Sequence, residues 1–121
     1  MVVADLDTEE GRNKIIKSCP EADILINNNS GPPPVNFLES DKDLWLKALD
    51  SNMLSAIFMI KDLLPGMIER KFGRIVNITS AMVKSPHPLM SLSTSARTGL
   101  TAFSKGVSKD VAKYNLSLIH I

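Results

Sequence analysis

Cysteine is almost missing from this chain: Cys19 stands alone among 121 residues. A single thiol excludes an internal disulfide framework and any zinc site built on cysteines, and it fits a reducing cytoplasm. Aromatic residues make up only 5%, too few for the stacking platforms that hold single-stranded nucleic acid. Charge of one sign does not accumulate either. The 14 Lys and Arg nearly balance the 13 Asp and Glu, for a formal net charge of +1. Neither nucleic acid nor an anionic membrane is expected as a partner on that balance. The longest apolar stretch, near residues 54–60, contains Ser55 and is far too short to span a bilayer. The opening MVVADLDTEEG is not a basic region leading into a long apolar run, so no signal peptide is expected. His87 and His120 lie far apart and offer no metal-ligand spacing, so no metal site is expected. The sequons at Asn28, Asn77 and Asn115 carry no glycan in a cytoplasmic protein.

What is present is an ordinary globular composition, 44% hydrophobic and 22% charged, enough for a core in one small domain or a piece of a larger one. Val2-Val3-Ala4 reads as a strand ending at Asp5-Leu6-Asp7. Thr8 can cap a helix over residues 9–17, closed by Cys19-Pro20. Residues 24–26 are short and apolar, a buried strand that stops at Asn27-Asn28-Asn29-Ser30-Gly31 and three prolines. A capping box at Ser40–Asp43 should open an amphipathic helix over residues 41–70, with Trp45, Leu49, Ala56, Ile60, Leu63 and Met67 on its stripe. Pro65-Gly66 should kink or end that helix, and Phe72-Gly73 should end the turn after it. Residues 74–79 read as another buried strand. A loop rich in Pro and Ser then leads to a last helix with Ala96, Leu100, Phe103, Val107 and Val111 on one face.

Alternating strands and helices predict an α/β parallel sheet covered on both faces. Each strand ends in polar residues: Asp5, then the asparagines, then Thr79-Ser80. In one parallel sheet these tips share an edge, and in open α/β sheets that edge binds ligands. Asn52 interrupts the apolar stripe, and a buried amide without partners costs about 1–3 kcal/mol. Bland readings stand beside these: the asparagines as strand and turn caps, Asn52 as a satisfied core amide, Asp5 as a cap carboxylate.

The order Asp5-Leu6, Asn27–Gly31, Asn52, Ile75-Val-Asn-Ile-Thr-Ser80 and Ala96-Arg97-Thr98-Gly99-Leu100 resembles the short-chain dehydrogenase/reductase family across roughly residues 2–115. Within that family the pattern is most similar to the 3-oxoacyl-carrier-protein reductase type. The resemblance implies a partial Rossmann-type doubly wound parallel sheet. Residues 1–121 would form an incomplete NAD(P)-binding domain, without the first two strands, the glycine-rich phosphate loop and the carboxy-terminal part. It implies hydride transfer between NAD or NADP and a small carbonyl or alcohol substrate, in a cytoplasmic homodimer or homotetramer. The dimer contact would use the 41–70 helix and the last helix, with Leu54, Phe58 and Leu92 exposed. Asp5, Leu6, Asn28, Asn29, Ser30, Gly31 and Arg97 are the implied cofactor-binding residues. Ser80, Asn52, Ser93 and Arg97 are the implied catalytic set.

Two departures are visible against the family pattern. Asn29-Ser30 replaces a small Ala-Gly, and Ser93 and Arg97 stand where the family has a Tyr and a Lys. Tyr114, the only tyrosine, comes too late to serve. A catalytically silent or non-redox binding module, including lyase or isomerase chemistry, is therefore the alternative. A receiver-like signalling domain would imitate the acidic tip through Asp5 and Asp7, but the asparagines at the second tip argue against it. Residues 116–121 depart from the family's usual continuation and are expected to be foreign to it, though apolar enough to pair as a strand.

Overall fold

The computed structural model describes all 121 residues. Helix α1 (Glu9–Ser18) starts where expected, with the Thr8 hydroxyl accepting from the Gly11 amide at 3.0 Å. Strand β1 (Ile24–Asn27) follows. The next helix, α2 (Lys42–Leu49), is capped by Asp41 rather than Ser40: the Asp41 carboxylate accepts from Leu44 N at 2.9 Å. A carboxylate at that position also meets the positive end of the helix dipole. Ser40 instead accepts from Trp45 Nε1 at 3.1 Å.

The helical run continues through a π-helical turn (Asp50–Leu54) into α3 (Ser55–Arg70). Pro65 does not end it. Pro65 and Lys61, whose carbonyl loses its intrahelical partner, are both exposed, so water can take that carbonyl. The helix stops at Lys71, which adopts φ 55°. Gly73 is not the turn residue; it opens strand β2 (Gly73–Asn77), where a β-carbon would sit 2.7 Å from Met67 Sδ. Short 3-10 turns at Ala81–Val83 and Pro88–Met90 lead to α4 (Ser91–Val111). Strand β3 (Leu116–His120) is entered through Asn115, left-handed at φ 62°.

The three strands lie in the order β1-β2-β3, all parallel. Register runs from Ile24 beside Arg74 to Asn27 beside Asn77, and from Gly73 beside Leu116 to Asn77 beside His120. The strands' alternation puts Leu25, Ile75, Leu116 and Leu118 on one face, where they meet Met59, Ile60, Leu63 and Met67 of α3 and Val111 of α4. That is the core.

Three expectations fail here. Val2-Val3-Ala4 is not a strand: it pairs with no neighbour, and the Val3 carbonyl takes the Lys14 ammonium at 3.0 Å. The sheet is also covered on one face only. On the other, Ile24, Ile26 and Ile119 are 61%, 63% and 51% exposed. Leu92, expected on an outer contact surface, is instead buried in the first turn of α4, and Leu54 is half-buried. No helix is long and apolar enough to cross a membrane.

Candidate functional site

The carboxyl ends of β1 and β2 lie side by side, joined by a buried polar chain. Asn27 Nδ2 donates to Asn77 Oδ1 at 2.8 Å, Asn77 Nδ2 to Ser104 Oγ at 2.8 Å, and Ser104 Oγ to the Leu100 carbonyl at 2.8 Å. Asn77 is fully buried, yet every polar atom of its side chain is satisfied. This chain locks the register of the two strands to α4, so both strand tips reach the edge at one level.

Above the tips stands the π-helical turn, in which Ser55 N donates back to the Asp50 carbonyl. Such a turn holds one residue more than an α-helical turn and re-aims the side chains inside it. Ser51 and Asn52 are thereby buried against the asparagine loop. Asn52 Nδ2 donates to the Ser30 carbonyl at 2.6 Å, whereas its Oδ1 is buried with no partner.

Arg97 enters from α4 and is 8% exposed. Nη1 donates to the carbonyls of Ile78 at 2.7 Å and Thr79 at 3.2 Å, Nη2 to the Asn29 carbonyl at 3.2 Å, and Nε to Ser93 Oγ at 3.2 Å. Ser93 lies one helical turn earlier, so the two side chains share a face. No carboxylate forms an ion pair with Arg97. Burial lowers its pKa from the ordinary arginine value. Guanidinium nevertheless keeps its proton in proteins. The result is a fixed positive charge that ties both strand tips to α4.

The other expected residues divide. Gly31 belongs to this cluster: a β-carbon there would lie 3.7 Å from Asn52 Oδ1, 3.8 Å from Arg97 Nη2 and 3.9 Å from Ser93 Oγ. Asn28, Asn29 and Leu6 join Asn52 and Arg97 around a cavity of about 20 Å³, room for about one water molecule. Ser80 adjoins the β2 tip, but its Oγ accepts from Met82 N at 3.1 Å and caps the following 3-10 turn. Asp5 stays exposed and holds a turn, its Oδ1 accepting from Asp7 N at 3.0 Å. Sequence reading missed Asp7 and Ser51. Asp7 Oδ1 accepts from Asn29 Nδ2 at 2.9 Å, and its Oδ2 accepts from Ser51 Oγ at 2.7 Å. A second acidic residue in the Asp5-Leu6-Asp7 tip was the only signal for it.

Parallel strands with polar tips gathered at their carboxyl ends define an α/β protein with a partial Rossmann-type sheet. The chain belongs to the short chain dehydrogenase family, which it matches over residues 2–121. The match runs to residue 121, and Leu116–His120 pair as β3, as their apolar character allowed. Similar proteins include a 3-oxoacyl-(acyl-carrier-protein) reductase of Haemophilus influenzae, 32% identical over 99 residues, covering 81% of this chain and 40% of that protein. The acetoacetyl-CoA reductase of Cupriavidus necator is 32% identical over 111 residues, 91% of this chain and 45% of that protein. Among solved structures, the L-sorbose reductase of Gluconobacter frateurii, complexed with NADPH and L-sorbose, aligns with TM-score 0.88 at 26% identity. It covers 95% of this chain and 45% of that one. The chain spans less than half the length of the curated relatives it matches.

Proposed function

We propose that residues 1–121 are the nicotinamide-side part of an NAD(P)-binding domain, in an oxidoreductase that moves a hydride between cofactor and a small carbonyl or alcohol. One observation carries this reading. The asparagine loop, the β2 tip, Asn52 of the π-helical turn and the Ser93–Arg97 pair all converge on one sheet edge.

The residues fit one side of a dinucleotide. Gly31 sits directly against Asn52, Arg97 and Ser93, where even a β-carbon would be in van der Waals contact, and the added bulk of Asn29 is directed away to Asp7 and Ser51. On this reading Asp5 and Leu6 meet the adenosine end, and Asn28, Asn29, Ser30 and Gly31 line the ribose and nicotinamide side. The bound nicotinamide supplies or accepts the hydride. Ser80 Oγ, which accepts from Met82 N, keeps its own proton free to donate to a substrate oxygen. Arg97 contributes positive potential toward an oxygen that gains negative charge. A homodimer or homotetramer on α3 and α4 and a cytoplasmic setting belong to the same proposal, with Phe58 as the exposed apolar residue of α3.

A second reading is favoured by the state of Arg97 and Ser93. Four guanidinium N–H groups are already committed within the protein, and a serine hydroxyl is a far weaker acid than a phenol. Such a site can bind a ligand without protonating a carbonyl product, so a silent or non-redox module is the alternative. Titrating the whole protein with NADH and NADPH, then offering small carbonyl substrates, separates the two. Binding with turnover is the expected result for the first reading, and binding without turnover for the second. Absence of binding to either nucleotide overturns both. Residues 1–121 by themselves should bind neither tightly, because they contain no glycine-rich loop to hold the pyrophosphate.

A further inference from the structure

We propose that Asp7, Asn29 and Ser51 form a clasp that positions Arg97 through the Asn29 backbone, Asp7 and Ser51 being positioning residues that never touch the guanidinium. The bond pattern around Asn29 carries this. One Nδ2 proton goes to Asp7 Oδ1 at 2.9 Å and the other to the Ser51 carbonyl at 3.0 Å. Its Oδ1 accepts from Ser30 N at 2.9 Å. The amide thus has no donor left for a ligand, and residue 29 is held from three directions.

Asp7 is itself fixed, by the Ser51 hydroxyl at 2.7 Å and through its amide to Asp5 Oδ1. Ser51 lies buried in the π-helical turn, and its carbonyl also accepts from Ser55 Oγ at 2.7 Å. The clasp therefore references the loop against the rigid part of the helical run. What it delivers is the Asn29 carbonyl, which faces Arg97 Nη2 at 3.2 Å. Ile78 and Thr79 hold the guanidinium from the β2 side. Asn29 is the acceptor on the β1 side, so the orientation of the fork depends on where that carbonyl stands. Bidentate and multi-acceptor arrangements of this kind lose their geometry when one acceptor drifts.

The departure of Asn29 from a small residue also acquires a reason. Its side chain reaches outward to Asp7, a carboxylate that makes the clasp possible, and to the Ser51 carbonyl.

The test is nuclear magnetic resonance on the intact chain, reading solvent exchange of the Arg97 side-chain N–H protons and of the Ile75 backbone amide. Asn29→Ala and Asp7→Ala are each expected to speed Arg97 exchange about tenfold or more, with Ile75 exchange unchanged. Should an alanine variant fail to fold, Ser51→Ala removes only the hydroxyl bond to Asp7 and decides the matter with a smaller, several-fold rise. Arg97 exchange that stays at the wild-type rate overturns the proposal. So does a rise matched in proportion at Ile75, which would mean general loosening. Neither readout depends on cofactor or turnover, so the clasp stands or falls separately from the proposed activity.

Discussion

Arg97 is a buried cation balanced by carbonyl dipoles rather than by a carboxylate. Each hydrogen bond to a charged group is worth about 1.5–3 kcal/mol, and a carbonyl left bare in the interior costs a similar amount. Arg97→Ala is therefore expected to lower stability by about 3 kcal/mol, measured as a shift in urea midpoint with an unchanged slope. Arg97→Lys should recover only part of that, since a compact ammonium cannot reach the carbonyls of Asn29, Ile78 and Thr79 together. A lysine variant as stable as the wild type would show that the planar fork is irrelevant. The pairing of Ser93 with Arg97 could be foreseen, because their spacing of one helical turn is a local property. Asp7 could not. Its partners Asn29 and Ser51 lie 22 and 44 residues away, and nothing in a lone carboxylate near a strand tip says which amide it will find.

The helical run from Lys42 to Arg70 shows the same division among elements. Its extent was readable from the apolar stripe, and so were α1, β1 and α4, whose periods are local. The π-helical turn was not. The extra residue of that turn redirects Ser51 and Asn52, and nothing in the apolar spacing marks where it sits. Val2-Val3-Ala4 failed for the opposite reason: strand propensity is local, but a ladder needs a neighbour, and none is at hand. Within the turn, Asn52 supports a concrete expectation. Its Oδ1 is already unpartnered, so Asn52→Leu removes a buried polar atom as well as the bond to Ser30. The two effects oppose one another, and the net change should stay within about 1 kcal/mol. A loss well beyond that in thermal unfolding would mean that the amide oxygen has a partner, such as a water in the adjoining cavity.

Across residues 1–121 as a whole, the dominant feature is a three-stranded sheet with a bare apolar face. Ile24, Ile26 and Ile119 there contribute little to the core, and exposed apolar patches beside open strand edges promote association. Ile26→Lys combined with Ile119→Lys should shift the chain toward monomer in sedimentation velocity while changing its stability little. Unaltered sedimentation at high concentration would remove that face from consideration. The parallel pairing also has a consequence for synthesis. Asn27 and Asn77, neighbours across β1 and β2, are 50 residues apart in the chain. No hairpin can form early, because parallel strands must wait for an entire crossover. As the polypeptide leaves the ribosome, α1 and the long helical run can coil before β2, the partner of β1 within residues 1–121, has been made. The middle strand then arrives to pair with β1, and β3, which pairs with β2, can only add after it. A stalled nascent chain ending just short of Gly73 should thus have its β1–β2 ladder and the Asn27–Asn77 bond still unformed, and gain both once the next few codons are read.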